Sequence, residues 1–235
     1  KAIKAKAYFK SLGTNIIVKP YLLGDTFFVL GEYEKAIEQY KLFLNSRETG
    51  PYRKDALLKV GLSFWFNESS DKQAECYFKL AEEEEGDNNV IDKNANKILA
   101  NRANWHRELL QLRFYLDGGA YEKARKVIEQ LKASDLNQLQ SIELKYRKAR
   151  FFQLTDQQIA AKDQYLMLIG QEGEPLSYIT PYSYLQLGKI AEAQGDNKQA
   201  LSYYQSATKF KDYPYQQSIQ LKANLAIKRL NQTND

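Results

Sequence analysis

Apolar residues recur along this chain at helical intervals, and they do so in copies of one pattern. Pro20-Tyr21-Leu22-Leu23-Gly24-Asp25-Thr26-Phe27 leads through Leu30-Gly31-Glu32-Tyr33 into Ala36-Ile37-Glu38-Gln39-Tyr40. A second copy runs Leu57-Leu58-Lys59-Val60-Gly61-Leu62-Ser63-Phe64 and then Ala74-Glu75-Cys76-Tyr77-Phe78-Lys79-Leu80-Ala81, and a third runs Tyr184-Leu185-Gln186-Leu187-Gly188-Lys189-Ile190-Ala191 and then Ala200-Leu201-Ser202-Tyr203-Tyr204. Leu, Gly and an aromatic fall on one face of a first helix, where Gly admits a second helix closely and the Ala of that helix is the complementary small contact. Two degenerate copies lie between: Leu112 and then Ala149 stand at the Gly position, followed by Ala124, Ile128 and Leu131 in one and by Ala161, Tyr165 and Leu168 in the other.

The spacing predicts an all-α chain of helix pairs. A lone second helix is expected over 1–15, carrying Ala5, Phe9 and Leu12, then helix pairs over 17–49, 52–86, 90–135, 139–172 and 180–212, and a closing helix over 215–231. Ile16-Ile17-Val18 is β-branched but short and runs into Pro20, so it reads as a helix lead-in. Turns are expected over Asn45–Pro51, Gly170–Pro181 and Lys211–Pro214. The anchor alanines at 74 and 124 are 50 residues apart, which predicts one long, Asn-rich helical stretch from Val90 to about Asp117. The closing helix sets Ile219, Ala223, Ala226, Ile227 and Leu230 on one side and Lys222, Lys228 and Arg229 elsewhere, as a solvent-facing cap would.

These copies resemble the tetratricopeptide repeat, whose pattern runs aromatic, Leu-Gly, Tyr, then Ala and Phe. The run Tyr203-Tyr204, Ala207 and Lys209-Phe210-Lys211-Asp212-Tyr213, with the opening Tyr21-Leu22-Leu23-Gly24, is also similar to the tetratricopeptide family that includes the yeast inclusion body clearance protein. The resemblance implies a right-handed α-solenoid, one superhelical domain over 1–235 with a terminal capping helix, whose first helices line a concave surface and bind protein partners. Chaperone-binding members grip a terminal carboxylate with Lys and Asn on successive first helices. The matching positions here hold Tyr21 and Asp25, Lys59, and His106 with Leu110, so that clamp is missing.

On the stripe opposite the Gly face stand Tyr21, Asp25 and Phe28; Leu58, Leu62 and Trp65; Leu109, Arg113 and Leu116; Tyr146, Arg150 and Gln153; and Leu185, Lys189 and Glu192. With Arg147 these predict a groove that is aromatic at its start and cationic toward Arg113, Arg147, Arg150 and Lys189, suited to a peptide with apolar anchors followed by acidic residues. The groove candidates are therefore Tyr21, Asp25, Phe28, Leu62, Trp65, Arg113, Tyr146, Arg147, Arg150 and Lys189. The alternative is that these aromatics are buried between repeats and the arginines are solvated surface charge.

Composition adds exclusions. The 34 basic and 29 acidic residues leave a net charge of +5, modest for 235 residues. Eleven basic residues between Arg102 and Arg150 face six acidic ones, which keeps a nucleic-acid-binding helical repeat open as a second reading, and a regulatory domain of a larger protein as a third. A single Cys rules out an intrachain disulfide, and one Cys with one His leaves no catalytic constellation or multi-cysteine metal site, so no enzyme activity, metal or cofactor is expected. His106, expected within the long helix, reads as a surface or interhelical histidine, and Cys76 lacks a base. Glu82 to Glu85 reads as a solvated helix end, and Asp87-Asn88-Asn89 lacks calcium-loop spacing. No apolar run is long enough to span a membrane, and both the cytosol and a bacterial periplasm stay open. Opening at Lys1, with its only Met at 167, the sequence reads as a fragment or processed product.

Overall fold

The computed structural model describes residues 2–11, 17–46, 52–85, 89–170 and 178–232. Leu12, the turn residues 47–51 and 171–177, and Gly86, Asp87 and Asn88 lie outside the described residues. Among the described residues every regular element is helical: α1 (Ala2–Ser11), α2 (Lys19–Val29), α3 (Tyr33–Leu44), α4 (Arg53–Phe66), α5 (Asp71–Glu83), α6 (Val90–Ala100), α7 (Arg107–Gly118), α8 (Tyr121–Gln130), α9 (Gln138–Leu154), α10 (Gln158–Ile169), α11 (Ile179–Ala193), α12 (Asn197–Thr208) and α13 (Gln216–Gln232). They form two compact units, 1–130 and 131–235.

Helix starts follow from capping chemistry. Ser70 accepts from the Gln73 N–H, Asn89 from those of Ile91 and Asp92, and Asp196 from that of Gln199, while Asn137 and Gln140 form a reciprocal capping box. Five helix pairs, α2–α3, α4–α5, α7–α8, α9–α10 and α11–α12, turn in one way. Gly31, Glu68, Gly119, Asp156 and Gly195 each take positive φ, between 52° and 81°. One residue later the backbone N–H reaches back to close the helix: Glu32 to Phe27, Ser69 to Phe64, Ala120 to Tyr115, Gln157 to Phe152 and Asp196 to Ala191.

In three of these pairs, α2–α3, α4–α5 and α11–α12, an aromatic ring of the second helix lies on a glycine of the first. A Cβ at Gly24 would stand 2.7 Å from Tyr40 Cδ1, one at Gly61 2.6 Å from Phe78 Cδ1, and one at Gly188 2.5 Å from Tyr204 Cε1. The aromatic, more than the anchor alanine, is therefore what the glycine admits. Ala149 and Tyr165, both fully buried, stand at the equivalent places of α9 and α10.

The long helix expected from Val90 to about Asp117 is instead two. α6 ends at Ala100, a 3₁₀ turn covers Arg102–Asn104, Trp105 and His106 are extended, and α7 starts at Arg107. Trp105 explains the break: its indole N–H donates to the Ile98 carbonyl at 3.1 Å and its ring packs edge-on to Phe78 and against Trp65. Burying that indole requires the chain to leave the helix axis. α6 packs on α4, and α7 then crosses back to reach α2 as well as α4. Gln111 donates to the Phe66 carbonyl, Tyr33 and Tyr115 share a hydroxyl hydrogen bond of 2.8 Å, and Gly118 lies so close to Val29 that a Cβ would stand 2.4 Å from its side chain.

In the second unit, α9 to α13 pack each on the next, with α11 also touching α9 and α13. α13 buries Ile219, Ala223, Ala226 and Leu230 against α12, the inner face expected of it.

Candidate interaction surface

On α2, α9 and α11 the predicted groove stripe is where that first helix receives the next one. On α2, the Tyr21 hydroxyl donates to Asp55 of α4 at 2.7 Å, Asp25 takes the Lys59 ammonium at 2.6 Å, and Phe28 packs on Phe66 with centroids 5.9 Å apart. On α9, Tyr146 meets Tyr182 of α11 and Gln153 donates to Gln186. On α11, Glu192 takes the Arg229 guanidinium of α13 at 2.6 and 2.8 Å. Tyr21, Phe28, Leu62, Tyr146 and Arg147 are consequently at most 3% exposed. A first helix needs a buried surface on each side along the stack, so the stripe opposite the Gly face is consumed by packing. Of the two readings the sequence left open, burial between helices describes Tyr21, Phe28, Leu62 and Tyr146, whereas Arg147 is buried where both readings left it accessible.

The remaining candidates are partly or fully accessible. Asp25 accepts from both the Tyr40 hydroxyl and Lys59, and Lys59 bridges on to Asp55 at 2.7 Å. Burial works against the Lys59 charge, but Asp25 and Asp55 outweigh it and hold the ammonium well above its ordinary value. Burial likewise pushes the Asp55 carboxyl up, against the pull of Lys59. Trp65 is half-buried between Trp105 and the Arg107 guanidinium, which sits 5.3 Å from its ring centroid. Arg113 lies 5.9 Å from the Phe114 ring centroid.

In the second unit Arg147 is buried, pairs with Glu143 at 2.8 Å and stacks over Tyr146. Burial opposes its charge, yet the tyrosines and Glu143 keep its pKa raised. Arg150 is half-buried on the next turn, near Tyr146 and Tyr165. Lys189 is exposed, and both its partial burial and the neighbouring Lys222 ammonium lower its pKa. Arg150, Lys189 and Lys222 thus stand on the successive first-type helices α9, α11 and α13.

The residues weighed for chemistry stay apart. His106 is the residue capping the start of α7 rather than mid-helix, with Nδ1 3.1 Å from a Glu108 carboxylate oxygen. Cys76 is exposed. The acidic run is partly paired, Glu84 with Arg53 and Glu82 with Arg102, which also meets Glu75. Among the described residues no group of three His, Cys, Asp or Glu side chains could hold a metal ion, and no helix is long and apolar enough to cross a membrane.

Sequence reasoning missed the Tyr21–Asp25–Tyr40–Asp55–Lys59 network and the return of α7. A signal for the first was available: Asp25 and Asp55 interrupt otherwise apolar stripes, and a carboxylate there requires a cation or hydroxyl nearby. No family model matches the chain, and no curated protein does.

Proposed function

We propose that the chain is a non-catalytic interaction scaffold of the tetratricopeptide-like, right-handed solenoid type, which binds an acidic segment of a protein partner. The observation that carries this reading is the repetition of one helix-pair device, a positive-φ turn in five pairs, joined in three of them by a ring lying on a glycine of the first helix. A device of that kind fixes side chains on successive helices in a rigid row, so little entropy is lost when a partner settles on them. Arg150, Lys189 and Lys222 form such a row in the second unit and supply its charge.

Protein is favoured over nucleic acid because the basic middle is already engaged. Arg102, Arg107, Arg125 and Arg147 each lie within ion-pair distance of carboxylates of the chain itself. The test is a crosslinking pull-down from the native host comparing wild type with Arg150→Glu/Lys189→Glu, two positions whose reversal leaves the buried Arg147–Glu143 pair intact. A partner captured by wild type alone supports the row as its contact. Identical capture by both proteins overturns the reading.

A further inference from the structure

Three first-type helices dock a delivering stripe on the preceding first helix, α4 on α2, α11 on α9 and α13 on α11, and three positions further on each carries a second, receiving stripe facing the other way. On α4 the delivering residues Asp55 and Lys59 meet α2, and Leu58 and Leu62, fully buried, form the receiving stripe on the side where α6 packs. On α11 Tyr182 and Gln186 meet α9, and the receiving stripe is Leu185, Lys189 and Glu192, whose Glu192 takes Arg229. On α13 the delivering residues are Lys222 and Arg229, so the receiving stripe is Leu221, Leu225 and Lys228. No described helix packs there: Leu221 is 60% and Leu225 57% exposed, whereas Leu58, Leu62 and Leu185 are at most 1%.

We propose that this stripe of α13 is a docking site for an acidic amphipathic helix of a different protein, seated as the next first helix of the stack. The charge on the page selects that occupant. α13 carries Lys222, Lys228 and Arg229 and no acidic residue. Among the described residues, no carboxylate pairs with Lys189, Lys222 or Lys228. Lys189 and Lys222 stand close enough that the Lys222 ammonium adds to burial in lowering the Lys189 pKa, so two like charges lie side by side next to the stripe. A second copy fits this face poorly, because α13 against α13 sets these lysines against themselves. An incoming helix with leucines one turn apart and flanking glutamates satisfies both the apolar and the charged requirement.

This goes beyond the proposed binding row, because it uses the leucines and outer lysine of α13. The test uses the full chain and two labelled synthetic peptides, one with a Leu stripe flanked by Glu and one with every Glu replaced by Lys, read by fluorescence anisotropy. Wild type is expected to bind the Glu peptide, with affinity falling roughly tenfold or more in Leu221→Ser/Leu225→Ser. Lys222→Glu/Lys228→Glu should reverse the preference to the Lys peptide, a gain that misfolding cannot mimic. Lys198→Glu, an exposed charge on α12 outside both the stripe and the row, should leave Glu-peptide binding unchanged, and because the row contains no leucine, the leucine variant separates this site from the row. The proposal is overturned if wild type fails to bind the Glu peptide, if it binds both peptides alike, or if the leucine variant binds as wild type does. It is equally overturned if the leucines instead mediate binding to anionic phospholipid vesicles, or a dimer seen by sedimentation that the leucine variant dissolves.

Discussion

Replacing Gly61 by Ala puts two opposed effects on one atom. In a helix interior Ala is favoured over Gly by about 1 kcal/mol, so propensity alone predicts a more stable protein. Here the added methyl would stand 2.6 Å from both Cδ1 and Cε1 of Phe78 and 3.1 Å from the Ala74 carbonyl oxygen. The ring cannot yield cheaply. It is 3% exposed, Trp105 packs edge-on to it at 5.2 Å, and the Arg102 guanidinium lies 4.5 Å from its centroid. Overpacking of this kind costs about 1–3 kcal/mol, and with a backbone oxygen on the other side the upper half of that range applies. The net expectation is a loss of about 1–2 kcal/mol, or some 2–8 °C in Tm at about 2–4 °C per kcal/mol for a domain of this size.

Thermal unfolding of the full chain followed by circular dichroism reads this directly. Gly170→Ala is the control: at its helix end the new methyl would meet nothing closer than the Leu166 oxygen at 3.4 Å, so stability should hold or rise. The stricter assay is a double-mutant cycle. Phe78→Leu alone opens a cavity, but together with Gly61→Ala it makes room for the methyl, so the two costs should cancel by about 1 kcal/mol or more. A Gly61→Ala protein as stable as wild type, or strictly additive costs in the cycle, would refute ring-on-glycine packing as the contact that sets the helix-pair distance.

Two further substitutions test the buried network and the turns. Lys59→Met should cost about 3 kcal/mol in chemical denaturation, the low end for breaking a buried ion pair because Asp25 is 35% exposed, and Asp25→Asn in the same background should recover part of it. Asp156→Gly should raise stability by about 0.5–1 kcal/mol, since Asp156 holds φ of 62° where Gly31, Gly119 and Gly195 do the same work in other pairs. A fall in Tm for Asp156→Gly would count against the shared-turn argument.

The sequence carried the local part of this fold well, because its signals are local. Gly31, Gly119 and Gly195 announce their turns, and Gly24, Gly61 and Gly188 announce close helix approach. Glu68 and Asp156 take the same backbone conformation without announcing it, since the helix ends around them over-determine the turn. The use of the stripe opposite the glycines was not legible. Periodicity identifies a face but not its neighbour, and Tyr21, Phe28 and Leu62 are as well suited to a ligand as to the next helix. The return of α7 hinges on Trp105 burying its ring against Trp65 and Phe78, a non-local contact that no spacing within 90–117 could reveal.

Acid titration offers a test of the α11–α13 junction. Glu192 is pulled two ways: burial raises its pKa, but the Tyr204 hydroxyl and the Arg229 guanidinium outweigh it, so the carboxyl titrates below its ordinary value of 4.5. Glu32 is lowered as well, by hydrogen bonds from Lys35 and Lys6. Each unfolded carboxyl therefore binds its proton at higher pH than the folded one. The stability these groups contribute is complete above the unfolded pKa and is lost as pH falls from about 4.5 through the lower folded value. Glu192→Gln should be less stable than wild type at neutral pH, because Arg229 and the Tyr204 hydroxyl lose a charged acceptor. The gap should close as pH falls through the lowered folded value, where wild type protonates the same oxygen. A gap that stays constant from neutral to acid pH would mean that the Glu192 charge does not hold α13 to α11. The pairing would then be shape alone, and the Lys-rich edge of α13 would lose its electrostatic anchor to the stack.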